Sequence, residues 1–239
     1  MEAQKIGLER MERQYLLISN LEMARRIIDR TGVYGGNCLE LSAGGGYLGF
    51  ALAENTLLDL YLLENNRHSR SQAELNVSRN RLGERIRVLK GSACAIPLPD
   101  GSMDLVTSKK SVFSWNYRMK TFQEVYRVLA PGGKACFCGG FESDDVKFRV
   151  EARLAAANPH LVEFLNQQVH WNHLQHFEAA LKEAGIPAFK IDCHDNGMWI
   201  VFGKPGARPA GSPESRWHCR ARRKPPELAA HANGGQSVP

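Results

Sequence analysis

The sequence lacks several features that would place the protein in a membrane or outside the cell. No apolar run in its 239 residues approaches the ~18 residues needed to cross a bilayer. The charged stretch 1–13 has no apolar core followed by a cleavage site, so no signal peptide is predicted there. The six cysteines have no paired spacing, which favours buried, reduced thiols over disulfides. We therefore expect a cytoplasmic protein with no membrane span.

Net positive charge is concentrated in one segment of the chain. Of the net charge of +6, a net of +5 falls within residues 204–239, where seven Lys or Arg accompany two acidic residues. Because residues 205–239 also contain few large apolar side chains, we predict a disordered, basic, Pro/Gly/Arg-rich tail there. The run 220–224 could contact nucleic acid or anionic lipid, although a solvated segment is the simpler interpretation. The near-neutral remainder predicts no nucleic-acid surface.

Apolar runs and helical patterns alternate along residues 1–204, which we predict to form one domain. Predicted strands cover 37–41, 57–63, 85–89, 103–108, 134–141, 189–193 and 198–202. Predicted helices cover 2–30, 46–54, 68–81, 117–129, 144–157 and 161–184. This alternation favours an α/β, doubly wound, mostly parallel seven-stranded sheet with helices on both faces. The turn signal Asn196-Gly197 joins the last two strands into a C-terminal antiparallel hairpin.

One stretch combines a strand, a tight turn and a helix. A short apolar run contains Glu40 near its end and then turns through Gly44, Gly45 and Gly46 into a helical pattern. Glycines let the backbone bend sharply and let a ligand approach without a Cβ in the way. The helix that follows offers unpaired N–H groups at its start, which suit polar or anionic ligands. The sequence therefore predicts a ligand site at this turn.

Polar side chains follow the neighbouring strands as well. Glu64 follows the second strand, where nucleotide enzymes of this architecture place a carboxylate on a ribose diol. Ser92-Ala93 follow the third strand and Ser108-Lys109 the fourth. Because the carboxyl ends of parallel strands meet at one edge of the sheet, these residues are expected to form one site with the glycine turn.

Two ligand classes use such a site. The spacing Gly44-x-Gly46-x-x-Gly49 fits a dinucleotide and would make the protein an NAD-dependent oxidoreductase. Glu40 would face a phosphate badly, however, and would suit a cationic ligand. S-adenosylmethionine carries a positive sulfonium and an amino group, so the acid before the glycines favours S-adenosylmethionine.

These residues and two later runs resemble the class I S-adenosylmethionine-dependent methyltransferases over roughly 37–141. The family's motif, acid-x-Gly-x-Gly-x-Gly, corresponds to Glu40-Leu41-Ser42-Ala43-Gly44-Gly45-Gly46, with serine at the first glycine. The family's second-strand acid corresponds to Glu64. Its third-strand Asp-Ala corresponds to Ser92-Ala93, with serine at the acid. The runs 99–106 and 124–133 complete the resemblance, which is strongest to small-molecule enzymes of the quinone and sterol C-methyltransferase type.

The resemblance implies a Rossmann-like fold and transfer of a methyl group from S-adenosylmethionine to a small-molecule acceptor by direct displacement, with S-adenosylhomocysteine as product. It implies cofactor contacts by Glu40, Ser42, Gly44, Gly46, Glu64, Asn65, Ser92, Ala93 and Ser108. It also implies an N-terminal helical lid over 1–33 and a helical substrate cover over 142–185. The candidates to face the acceptor are Tyr15, Trp115, Tyr117 and His170, and simple packing is the alternative interpretation of each.

Some questions stay open at the level of sequence. No residue has a decisive claim to be a catalytic base. No metal is expected, because the histidines at 170, 173 and 176 have no acid partner at ligand spacing. The serines at 42 and 92 motivate an alternative, a non-catalytic S-adenosylmethionine-binding or regulatory protein of the same fold. The sequence does not indicate the oligomeric state or the identity of the acceptor.

Overall fold

The computed structural model describes residues 19–79, 81–109, 118–140, 148, 174–194 and 197–206. The chain divides into the units Met1–Arg208 and Pro209–Pro239, and every described residue belongs to the first unit. Four residues predicted to face the acceptor lie outside the described residues: Tyr15, Trp115, Tyr117 and His170. The basic tail lies outside them too, as does most of the predicted substrate cover. The domain boundaries therefore stay predictions.

The described elements alternate as the sequence predicts. The strands are β1 (Gly35–Leu41), β2 (Leu57–Glu64), β3 (Ile86–Lys90), β4 (Met103–Lys109), β5 (Leu129–Gly140), β6 (Phe189–His194) and β7 (Gly197–Gly203). The helices are α1 (19–31), α2 (Tyr47–Asn55), α3 (Arg67–Ser78), α4 (Arg118–Val128) and α5 (Leu174–Glu183), with a short 3₁₀ turn at Gly83–Arg85. No helix in these described segments is long and apolar enough to cross a membrane.

The strands form one seven-stranded sheet with the order β3-β2-β1-β4-β5-β7-β6. Strands β1 to β5 pair in parallel, whereas β7 is antiparallel to both β5 and β6. The predicted mostly parallel sheet with a C-terminal hairpin is therefore confirmed. The strand order reverses between β1 and β4, and ligands of open α/β sheets bind in the crevice outside the carboxyl ends at such a point.

Both faces of the sheet are covered by helices. On one face, Cys38 of β1 belongs to a buried cluster with side chains of α1 and α2, such as Ile27 and Leu52. On the other face, Leu39 is buried with Phe122 of α4 and Phe177 of α5. Burying a large apolar side chain contributes about 1.5–3 kcal/mol, so these two layers supply most of the driving force for folding. Coverage of both faces explains why successive residues of β1 (38–41) and β4 (103–108) are all buried.

The segment Pro131-Gly132-Gly133 corrects one prediction. The sequence suggests a helix stop and a turn there, with the strand starting at residue 134, but β5 already begins at Leu129. The N–H of Gly132, at φ 80°, donates to the carbonyl oxygen of Lys204 at 2.9 Å, and the N–H of Lys204 donates to Gly133 at 3.0 Å. The segment is therefore an irregular, bulged part of the strand, because its backbone groups find partners across the sheet.

Candidate cofactor site

The turn after β1 requires a left-handed backbone at three positions. Ser42, Gly44 and Gly46 have φ values of 53°, 58° and 78°. Ser42 is the one non-glycine residue with positive φ in the described part of the chain. Its N–H donates to the carbonyl oxygen of Leu63 at 3.0 Å, which holds the turn against β2. A side chain in this conformation costs roughly 1–2 kcal/mol, so the backbone of Ser42 is strained in this turn.

The glycines of the motif have different physical roles. A Cβ on Gly46 would lie 2.6 Å from Cδ1 of Leu62, and a Cβ on Gly49 would lie 2.6 Å from Cδ2 of the same side chain. Both glycines therefore allow α2 to pack closely on β2. A Cβ on Gly44, in contrast, would have no atom within 4 Å. Gly44 thus borders open space at the carboxyl edge of the sheet, as a ligand-contacting turn requires.

Glu40 lies beneath the turn and is almost completely buried, with 3% of its surface exposed. Its Oε2 accepts a hydrogen bond from the N–H of Gly49 at 2.9 Å. Burial raises the pKa of Glu40 to about 8, although the Gly49 N–H and the positive charge of Lys109 act in the opposite direction. The negative charge of Glu64 raises this pKa further. The two carboxylates therefore share one region of the site.

Glu64 is the last residue of β2 and bridges to the glycine turn. Its Oε1 accepts a hydrogen bond from the N–H of Gly44. Burial raises the pKa of Glu64, while the N–H groups of Gly44 and Asn66 and the charge of Arg70 lower it. A carboxylate has about four acceptor positions, so Glu64 can hold the turn and still accept hydroxyl groups of a ligand. The neighbouring Asn65 is exposed.

The remaining predicted cofactor residues differ in burial and in their contacts. Ser92 is partly buried, and its Oγ accepts a hydrogen bond from the N–H of Cys94 at 3.3 Å. Ala93 packs against the buried cluster below the loop. Ser108 is completely buried, and its Oγ donates to the carbonyl oxygen of Leu41 at 3.1 Å. The hydroxyl of Ser108 therefore joins β4 to β1, and its contact with the cofactor stays a prediction.

Arg127 holds the loop after β3 but has no role in the prediction made from the sequence. Its guanidinium donates to the carbonyl oxygens of Ile96 and Leu98, both at 2.9 Å. It also forms a bidentate contact with Glu124, whose Oε2 accepts from the N–H of Ile96 at 2.8 Å. The resemblance includes the run 124–133, and this clamp gives a physical reason for the Glu and Arg within it.

Sequence reasoning missed Asn76 and placed Lys109 after the fourth strand without giving it a role. Asn76 of α3 donates through Nδ2 to the carbonyl oxygen of Gly45 at 2.8 Å and so supports the turn from outside. Lys109 ends β4, and its Nζ donates to Oγ of Ser19 at 2.7 Å and to Oδ1 of Asn20 at 3.3 Å.

The described residues fit S-adenosylmethionine. The two buried acids suit a ligand with a sulfonium and an ammonium, because a nearby positive charge favours the ionised form of a carboxyl group. Gly44 leaves space where a ligand can approach the backbone, and Glu64 lies at the strand end where a ribose diol is expected. The antiparallel β7 between β5 and β6 also separates this sheet from the strand order 3-2-1-4-5-6 of dinucleotide-binding folds. Fold and site define a class I methyltransferase architecture.

Comparison with known proteins agrees with this assignment. Residues 39–137 match the family model described as a methyltransferase domain. A Methanococcus maripaludis crystal structure assigned to the S-adenosyl-L-methionine-dependent methyltransferases superposes with a TM-score of 0.77 and 28% sequence identity, covering 85% of this chain and 93% of that one. The fold is also shared, at 16% identity and a TM-score of 0.56, with a Haemonchus contortus phosphoethanolamine N-methyltransferase in complex with S-adenosyl-L-methionine, over 77% of this chain and 52% of that one.

Similar sequences among curated proteins are methyltransferases too. The sarcosine/dimethylglycine N-methyltransferase of Aphanothece halophytica is 26% identical over 54% of this chain and 42% of its own length. The ubiquinone/menaquinone biosynthesis C-methyltransferase UbiE of Methylobacterium nodulans is 39% identical over 32% of this chain and 31% of its own length. The matches thus span less than half the length of these relatives. The chain therefore contains a methyltransferase domain over residues 39–137 and is similar to S-adenosylmethionine-dependent methyltransferases, small-molecule enzymes among them.

Proposed function

We propose that this protein transfers the methyl group of S-adenosylmethionine to a small-molecule acceptor. The observation that carries the proposal is the pair of buried carboxylates, Glu40 and Glu64, hydrogen-bonded to backbone N–H groups of Gly49 and Gly44. This arrangement places an acid on each side of the glycine turn, and a cationic ligand would favour the ionised form of each. The similarity to small-molecule methyltransferases supports the same conclusion.

The residues of this chain would bind and orient the reactants. Glu64 accepts the ribose hydroxyls, and Gly44 allows close approach of the ligand to the backbone. Glu40 serves the amino group, whose positive charge would favour the ionised form of this carboxyl. When bound, S-adenosylmethionine supplies a methyl carbon that an acceptor electron pair attacks while the carbon–sulfur bond breaks and the sulfonium becomes a neutral thioether. Positioning and exclusion of water provide most of the rate acceleration in such a displacement.

The acceptor class is a finer proposal. Because the relatives include amine N-methyltransferases and a quinone C-methyltransferase, a first panel consists of small carboxylated amines, quinols and thiols. An amine or hydroxyl acceptor needs a base to remove its proton, whereas a thiolate does not. The cytoplasmic location also stays a prediction.

Two measurements test the proposal. Isothermal titration calorimetry with S-adenosylmethionine and S-adenosylhomocysteine should give dissociation constants in the micromolar range. Transfer of a radiolabelled methyl group should then occur with one acceptor class of the panel. Absence of binding by folded protein would refute the proposal. Binding that persists without methyl transfer across a broad panel would favour the non-catalytic binding protein.

A further inference from the structure

Lys109 and Glu40 lie side by side at the carboxyl edge of the sheet. The β1–β4 register pairs Glu40 with Thr107, and Lys109 is two residues farther along β4 on the same face. The charge of Lys109 acts directly on Glu40, whose pKa it lowers. An acid and a cation therefore occupy adjacent strands at the point where the strand order reverses.

The ammonium of Lys109 is held in place by helix α1. Its Nζ donates to Ser19 at 2.7 Å and to Asn20 at 3.3 Å, and these two residues are only 2% and 5% exposed. Lys109 itself is partly exposed. A lysine is a point charge on a flexible stem, so two buried oxygen acceptors define where that charge lies. This arrangement is a built polar cluster and differs from a solvated surface lysine.

The amino-acid end of S-adenosylmethionine is a zwitterion, with an ammonium and a carboxylate on one carbon. Glu64 on β2 is predicted to hold the ribose, which directs the amino-acid end toward β1 and β4. The ammonium of that end favours the ionised form of Glu40, and the carboxylate of the ligand then needs a cation nearby. Lys109, on the neighbouring strand, provides one.

We propose that Lys109 binds the carboxylate of S-adenosylmethionine, and that Ser19 and Asn20 position its ammonium for this contact. The proposal rests on the proposed cofactor and adds a cofactor-binding residue to the site. It also makes helix α1 part of the cofactor site, because the buried polar residues that hold Lys109 belong to that helix.

The test compares S-adenosylmethionine with decarboxylated S-adenosylmethionine, which keeps the sulfonium and the amino group but lacks the carboxylate. Calorimetry on the full-length chain should show that the wild type binds S-adenosylmethionine roughly 10- to 100-fold more tightly than the decarboxylated analogue. The Lys109→Met variant should lose this preference by weakening S-adenosylmethionine alone, and Lys109→Arg should retain much of it. Lys134→Met, a change at an exposed lysine near the amino end of the parallel part of β5, should behave like the wild type.

Each contrary result overturns the proposal in a recognisable way. Equal weakening of both ligands in Lys109→Met would assign Lys109 a purely structural role. S-adenosylhomocysteine lacks the positive sulfonium. If Lys109→Met gained affinity for S-adenosylmethionine relative to S-adenosylhomocysteine, the Lys109 ammonium would lie against the sulfonium and not against the carboxylate. Equal affinity of the wild type for S-adenosylmethionine and decarboxylated S-adenosylmethionine would show that the carboxylate is not recognised. Failure of the wild type to bind S-adenosylmethionine at all would refute the proposed function itself.

Discussion

Oε2 of Glu40 accepts a hydrogen bond from the backbone N–H of Gly49 at 2.9 Å and thereby joins strand β1 to the first turns of helix α2. This contact occurs in a buried setting that raises the pKa of Glu40 to about 8. Glu40, which corresponds to the acid of the family's motif, is thus held in an environment that favours its protonated form.

The raised pKa of Glu40 predicts a pH-dependent stability. Between the ordinary carboxyl pKa of 4.5 and the raised pKa of about 8, Glu40 of the folded protein holds a proton that the unfolded chain has lost. The free energy of unfolding should therefore fall as pH rises through this window, by up to about 1.4 kcal/mol per pH unit. Glu40→Gln, which keeps an oxygen acceptor for Gly49, should flatten this dependence. Urea unfolding at pH 5, 6.5 and 8 measures it, and an equally steep profile in the variant would contradict the assignment.

The contact between Glu64 and the glycine turn predicts the response of cofactor binding to substitution. Glu64→Ala should weaken S-adenosylmethionine binding by about 1.5–3 kcal/mol, because charge-assisted hydrogen bonds to the ribose are lost. Glu64→Gln keeps an acceptor for the Gly44 N–H and should fall between the wild type and the alanine variant. Exposed Glu54, at the end of α2, provides the matched control Glu54→Ala. Unchanged affinity of a folded Glu64→Ala variant in calorimetry would remove Glu64 from the ribose site.

The positive φ of Ser42 predicts a stabilising substitution. Glycine adopts this conformation without strain, and the Ser42 side chain is exposed, so Ser42→Gly removes strain without loss of a buried contact. The larger entropy of glycine in the unfolded chain offsets part of the gain, which leaves about 0.5–1 kcal/mol. Thermal and urea unfolding measure the change. Ser42→Ala keeps the strain and is the control; equal stability of the two variants would show that the strain is negligible.

The guanidinium of Arg127 predicts that a conservative change will not be tolerated at this position. Lysine at this position cannot contact Ile96, Leu98 and Glu124 at the same time. Arg127→Lys should therefore lower the free energy of unfolding by about 1–2 kcal/mol. The loop after β3 should also become more sensitive to proteolysis. Arg81→Lys, at an exposed position, is the control. A variant with wild-type stability and unchanged proteolysis would show that the clamp does not hold this loop.

Much of the fold could be predicted from the sequence, because its signals are local. Alternation of apolar runs with helical patterns indicated the strands, and Glu40 and Gly44–Gly46 indicated the turn. The irregular start of β5 was not predictable in this way. Pro131-Gly132-Gly133 has the composition of a turn, and only backbone contacts with Lys204, more than 70 residues later in the chain, make it part of the sheet.

The sequence by itself determined the class of the protein and the residue types around the cofactor, since strand, turn and helix signals and the motif spacing are written along the chain. The tertiary structure alone decided how those residues act. It buried Glu40 against Gly49, brought Glu64 to Gly44, and placed Lys109 beside Glu40 with its ammonium held by Ser19 and Asn20. Burial and neighbouring charge depend on which strands become adjacent, and that information is not contained in any single stretch of residues.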